Sequence, residues 1–229
     1  YTCSRASAKN YLYDSTTNTW SANGDLPFKA GGTRLVETPS GRIFAIGTCD
    51  DTGGNCVLGG NVAEYSIAGA SWTAKSPMPT ARYWPGVASF TVSGDEKISS
   101  VGGSIDTGFV YGTDESTALE VYDVSTDTWT AGASISDSDY LFAFQPTLRT
   151  FFHLPFYVTS LVAVAASTGS ESSFAPFAAQ LSGPRAAFST LLDGRILFHG
   201  ISYNGAGQVD PVLVLNVTAP VRFAAAGGD

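Results

Sequence analysis

The pattern that most limits what this chain can become is an aromatic pair that recurs three times. Tyr13 and Trp20, Tyr65 and Trp72, and Tyr122 and Trp129 share one spacing, Tyr-x6-Trp, and the pairs start 52 and then 57 residues apart. Tyr13-Asp14-Ser15-Thr16-Thr17-Asn18-Thr19-Trp20 is closely matched by Tyr122-Asp123-Val124-Ser125-Thr126-Asp127-Thr128-Trp129. Each pair is followed by Ser or Thr and then Ala: Ser21-Ala22, Thr73-Ala74 and Thr130-Ala131. A period near fifty residues marks a repeat architecture, in which one small unit cannot bury its own apolar face and stacks on the next.

A second unit recurs between the pairs. Gly41-Arg42-Ile43-Phe44-Ala45-Ile46-Gly47 resembles Gly194-Arg195-Ile196-Leu197-Phe198-His199-Gly200, and Glu96-Lys97-Ile98-Ser99-Ser100-Val101-Gly102-Gly103 fills the same place in the middle repeat. Each reads as a short strand of β-formers that ends in glycine. Another strand is predicted upstream of each, over 33–37, 83–91 and 186–192, with Arg82, Arg185 and Arg34 close to its start. The unit is therefore four strands in roughly fifty residues, closed by polar turns such as Ser15-Thr16-Thr17-Asn18. Regular repetition favours packing between units for Tyr13, Trp20, Tyr65, Trp72, Tyr122 and Trp129 over the alternative, open to any one of them, of a sugar-stacking platform.

Composition narrows the partners. Charged residues are 14% of the 229, and the net charge is −8 with the acids scattered. No basic stripe is present to neutralise phosphates, and an acidic surface is repelled by anionic lipid, so neither nucleic acid nor membrane insertion is expected. The most apolar stretch, 151–166, contains His153, Pro155, Thr159 and Ser160 and falls short of the ~20 residues of a membrane helix; it reads as two buried strands.

The diglycine Gly102-Gly103, the Tyr-x6-Trp pairs and Ser76-Pro77-Met78-Pro79-Thr80-Ala81-Arg82 between units resemble kelch repeats. The resemblance implies an all-β, kelch-type β-propeller over 1–229. It has about five recognisable blades (a blade tail at 8–21, then 32–74, 83–131, 139–176 and 185–224), either alone or as a fragment of a six- or seven-bladed ring. Gly47 and Gly200 are single glycines where the family prefers two. The fourth repeat lacks its Tyr and Trp, with 162–166 and Phe174 as stand-ins, and 213–217 serves the fifth.

Pro79-Thr80-Ala81-Arg82-Tyr83-Trp84-Pro85 is similar to a segment of the copper radical oxidases, whose site needs two His and two Tyr, one Tyr joined to a Cys. This chain has only His153 and His199 and lacks a Tyr-His pair. Matching Arg149-Thr150-Phe151-Phe152-His153 to Arg42-Ile43-Phe44-Ala45-Ile46 puts both histidines at the second-strand position of Ile46 and Val101. They read as half-buried structural residues rather than metal ligands or acid–base groups. Asp50-Asp51 offers carboxylates for calcium but lacks an EF-hand's spacing. Asp95-Glu96 and Asp114-Glu115 read as surface charges in turns. No P-loop, GxGxxG, HExxH or GxSxG is present. The sequence predicts no catalytic residue, no metal and no cofactor.

Cys49 and Cys56 bracket a Gly- and Asp-rich stretch flexible enough to join them in a disulfide, against the alternative of two free thiols; Cys3 is left over. Asn216-Val217-Thr218 is a glycosylation acceptor. Together these point to a secreted or cell-surface protein. The expected role is non-catalytic binding of another protein, or of a second copy, through the propeller-face loops, of which 48–61 and 104–117 are the longest, with Asp50, Asp51, Asn55, Asp106, Tyr111 and Asp114 as contact residues. Carbohydrate is a further ligand class. The competing expectations are the propeller part of a larger secreted copper-radical-oxidase-like or carbohydrate-active enzyme, and an intracellular kelch adaptor.

Overall fold

A computed structural model of the chain describes residues 6–51, 56–105, 107, 114–137, 142–153, 161–173, 186–190, 196–200 and 212–215. Among these residues the structure is all-β, in small antiparallel sheets. A hairpin of β1 (Asn10–Asp14) and β2 (Thr19–Asn23) comes first. Sheet A follows with β3 (Arg34–Glu37), β4 (Ile43–Asp51), β5 (Cys56–Ser66) and β6 (Ser71–Lys75). Sheet B contains β7 (Gly86–Val92), β8 (Asp95–Val101), β9 (Leu119–Asp123) and β10 (Thr128–Ala131). Sheet C contains β11 (Ala143–Gln145), β12 (Thr150–His153), β13 (Val162–Ala165) and β14 (Glu171–Ser173). Three further strands, β15 (Ala186–Thr190), β16 (Ile196–Gly200) and β17 (Val212–Leu215), form a last sheet. Every sheet is a meander whose strand order follows the chain.

The aromatic repeat has a local cause. Tyr13, Tyr65 and Tyr122 lie directly opposite Trp20, Trp72 and Trp129 on the last two strands of their units. Ring centroids are 5.0, 5.0 and 5.1 Å apart at interplanar angles of 43°, 45° and 40°. Seven positions of separation put the rings opposite because a four-residue loop joins the strands, and its last residue is left-handed: Asn18 (φ 55°), Ala70 (46°) and Asp127 (55°); in sheet C the counterpart is Gly169 (80°), where the Ala165 N–H donates to the Ser170 carbonyl just ahead of β14. Asn, Asp and Gly tolerate that conformation, whereas Ala70 is strained in it. Asp14 and Asp123 hold the loops by accepting the N–H groups of Thr16 (2.8 Å) and Ser125 (2.9 Å). In sheet C, Val164 and Glu171 occupy the Tyr and Trp positions. Phe174 lies outside the described residues.

Consecutive sheets pack face to face. Phe44, Ile46 and Val62 of sheet A meet Ile98 and Tyr122 of sheet B, with Phe44 edge-on to Tyr122 at 5.9 Å. The other face of sheet B, through Val101, Leu119 and Phe90, meets Phe151, Val162 and Val164 of sheet C. The segments between sheets bond to both neighbours. Leu26, Met78 and Ile135 donate backwards to the carbonyls of Ala8, Gly60 and Thr117 (2.8, 2.7 and 2.9 Å). Gly24 and Ala133 donate forwards to the carbonyls of Ala70 (3.2 Å) and Thr168 (2.8 Å). Ser76 donates forwards to Asp127 Oδ1 (2.9 Å). Trp129 Nε1–H adds a bond to the carbonyl of Ser76 (2.9 Å). Met78 and Ile135 thereby plug the two interfaces.

Two expectations are corrected. The stretch 48–61 is not a loop: β4 and β5 continue as a ladder to the Asp51–Cys56 pair, after a register shift at Gly47. Sheet B also continues past β8, where Ser104 bridges both Tyr83 and Glu115. Glycine and aspartate made these stretches look irregular, although a positive φ at Gly47 (76°) absorbs the irregularity at one residue. His153, secondly, is fully buried and pairs with Val162, which places it at the position of Ala45 and Ser100 rather than of Ile46. Between the equivalent pairs Glu37–Ile43 and Phe144–Phe151 the first turn of sheet C is one residue longer than that of sheet A, and Arg149 is its left-handed last residue where sheet A has Gly41, so matching Arg149 to Arg42 shifts the alignment by one.

On sheet A, Glu64 accepts from Arg42 Nε (2.6 Å) and pairs with Lys75 Nζ (2.8 Å). The bond from Arg42 outweighs burial and holds the carboxyl at about 2, below its ordinary 4.5. A lowered folded-state pKa gives stability that is present above 4.5 and lost as pH falls towards about 2. Urea unfolding across that window is expected to show a loss that Glu64→Gln flattens.

Candidate functional site

Each sheet has two ends, one with the tight turns and one where the inter-sheet segments enter beside the β4–β5 and β8–β9 connections. The second end carries the chemistry. Cys49 and Tyr83 are buried there, with Leu58 and Trp84 half-buried against them. Tyr83 and Trp84 lie 4.9 Å apart at 58°. Trp84 has a φ of 52°, a left-handed conformation that costs a bulky residue ~1–3 kcal/mol and persists only where the surrounding structure over-determines it. Its N–H donates to the carbonyl of Gly32 (2.7 Å). A β-carbon on Gly32 would stand 2.9 Å from the Tyr83 ring and 3.0 Å from that of Trp84, so glycine lets both rings lie on the preceding segment.

Beneath this platform is a sealed ion pair. Arg82, with no exposed surface, donates to Glu120 Oε2 (2.7 Å), to the carbonyls of Thr80 and Ser100 (3.0 Å each) and to Ser100 Oγ (3.0 Å). Thr80 donates to the other Glu120 oxygen from its N–H (3.0 Å) and hydroxyl (2.8 Å). Burial pulls the guanidinium pKa down and Glu120 opposes it. Buried this way, the pair ties the Thr80–Arg82 segment below the platform to β8 and β9. Sequence reasoning missed Glu120 altogether, because one acid in Leu-Glu-Val-Tyr-Asp looks like a solvent-facing strand residue.

The sequence-predicted residues divide as follows. Gly102 and Gly103 adopt positive φ (59° and 91°), and a β-carbon on Gly103 would meet the Tyr83 carbonyl at 2.8 Å. Their counterparts Gly47 and Thr48 show why one glycine suffices in sheet A: the buried Thr48 hydroxyl donates to the Lys29 carbonyl. Asp50 pairs with Lys29 at 3.4 Å, and Asp51 sits opposite Cys56 at the end of the ladder. The carbonyl of Asp114 accepts from Ile105 (2.9 Å). Asp50 and Asp114 thus stand at one end of neighbouring sheets. Asn55, Asp106, Tyr111 and Asn216 lie outside the described residues. Among the described residues, no cluster of three or more His, Cys, Asp or Glu could hold a metal, and no helix is long and apolar enough to cross a membrane.

Cys49 is disulfide-bonded, and its partner lies outside the described side chains. A sulfur so engaged is not free to form a thioether with the adjacent Tyr83. With three cysteines in the chain, one is left single. Alkylation of the unreduced, denatured chain is expected to add one adduct by mass, and three after reduction; three adducts without reduction would remove the disulfide.

No protein-family model matches the chain, and no curated protein matches it.

Proposed function

We propose that the chain is part of a kelch-type β-propeller that serves as a non-catalytic interaction domain outside the cell, binding another protein through the end of the sheets that carries Trp84. The disulfide at Cys49 supports the extracellular setting. The radial arrangement is supported by the aromatic repeats: Tyr13 is 45% exposed, Tyr65 is intermediate and Tyr122 is fully buried. Burial rises with the size of the sheet in front of each, as expected of blades that each cover the next.

The observation that carries the binding reading is Trp84, a partly buried tryptophan held in a strained backbone conformation on a bed of Tyr83, Leu58 and Cys49. Half-buried tryptophans on rigid supports are the usual energetic anchors of protein interfaces. The Lys29–Asp50 pair and Asp114 supply a polar rim. Crosslinking of the tagged chain in its native extracellular fluid is expected to capture a protein, with recovery reduced about tenfold or more by Trp84→Ala. Equal capture by the variant, with unchanged thermal unfolding, would overturn the assignment.

A further inference from the structure

Arg34 opens β3 two residues after Gly32, the glycine over which the Tyr83 and Trp84 rings lie. It is half-buried, and along β3 the exposed Leu35 and Glu37 alternate with it, so it shares a face with Val36. Val36 packs towards Ile98 and Tyr122 of sheet B, as does Ile46, which stands opposite Arg34. The guanidinium is thus carried on the side facing sheet B, at the end where Trp84 enters. Pro85 approaches the same corner, where a β-carbon on Gly47 would stand 3.3 Å from its ring.

What sets Arg34 apart is that nothing answers its charge. Among the described residues no carboxylate or other hydrogen-bond acceptor engages its guanidinium. Arg42 is paired with Glu64, Arg82 is paired with Glu120, and Arg149 is exposed to water. Burial pulls the pKa of Arg34 down as it does that of Arg82, but here no acid among the described residues opposes it. A half-buried cation without a partner costs stability. The fold does not require one at this position: the residue in the same register of sheet B, opposite Val101, is Gly86.

We propose that Arg34 is the anion-binding residue of the Trp84 surface and takes up a carboxylate from an acidic side chain of the protein partner. The planar guanidinium fork matches a carboxylate through two parallel N–H···O bonds. One guanidinium balances the single charge of a carboxylate, whereas a phosphate group, near −2, would stay uncompensated in a chain of net charge −8. Asp50, at the same end of sheet A, is already paired with Lys29 (3.4 Å). The inference rests on the reading of Trp84 for its partner, and the carboxylate site itself is testable without one.

The probe is sodium acetate, titrated into the full chain at neutral pH with ionic strength held constant by sodium chloride. The Arg34 Nε–H resonance in nitrogen–proton correlation spectra is expected to shift saturably, and sodium sulfate should shift it less. Arg34→Leu should lose the signal, melt at or above the wild type in chloride and no longer be stabilised by acetate. In the crosslinking experiment Arg34→Leu should reduce recovery about tenfold, and Arg34→Lys should restore little, because an ammonium lacks the fork. Absence of a saturable acetate shift at Arg34 would overturn the proposal. So would an equal shift with sulfate, a lowered melting midpoint in Arg34→Leu, or capture that Arg34→Leu leaves unchanged. Acetate binding at Arg34 in a chain that captures no protein would keep the carboxylate site and remove the reading of Trp84, so the two fail separately.

Discussion

Replacing Arg82 by alanine is expected to cost about 3–5 kcal/mol of stability, enough to leave a marginal domain substantially unfolded. The guanidinium has no solvent contact, and its removal strands the Glu120 carboxylate in the interior with only Thr80 to solvate it. Glu120→Ala should cost a similar amount by stranding the opposite charge. The double variant should be less damaging than the sum of the two, because removing both members of a buried pair leaves no uncompensated charge. Sheet A shows that the fold accepts this. The residues standing in register with Arg82 and Glu120 there are Ala30 and Ala63, and Ala63 is fully buried. Denaturant unfolding of the four proteins forms a double-mutant cycle; strict additivity would show that the pair is not coupled as described.

Gly169→Ala is the second large effect, expected at about 3 kcal/mol. Two costs coincide. A φ of 80° costs an L-residue ~1 kcal/mol or more. The added β-carbon would also sit 2.1 Å from the Ala133 carbonyl, so the segment leaving sheet B must shift away from sheet C. At the same loop position in sheet A the sign reverses. Ala70 already carries a β-carbon at φ 46°. Ala70→Gly therefore relieves strain, against a small entropy cost, and should be neutral to stabilising by up to about 1 kcal/mol. Thermal unfolding midpoints measure both. A Gly169→Ala protein that melts with the wild type would contradict the close approach of sheets B and C at that turn.

The all-β class and the strands that carry the aromatic pairs were readable because a four-residue loop ties sequence spacing to cross-strand register. Tyr13, Tyr65 and Tyr122 could be paired with their tryptophans from spacing alone. What stayed hidden depends on contacts between units. Ala70 gives no compositional hint of a left-handed residue, and only its equivalence to Asn18, Asp127 and Gly169 reveals the position. Glu120 and Arg82 are 38 residues apart and meet only when the inter-sheet segment folds over β9. His153 was displaced by one because turn lengths differ between sheets, and one residue of slip moves a side chain to the opposite face. The extended β4–β5 ladder was mistaken for a loop because Gly, Asp and Asn dominate its sequence. The candidate platform was partly legible: Tyr83 and Trp84 stood within a noted motif, but nothing local signals the positive φ of Trp84 or the neighbouring Cys49.

A crystal structure of the chain bears most directly on the arrangement from which these expectations follow. The planes of β3–β6, β7–β10 and β11–β14 should fan around one axis, with the Tyr122 ring closed against Phe44 and Met78 wedged between the first two sheets. Sheets laid instead as two parallel layers, or Tyr122 and Trp129 facing solvent, would contradict it.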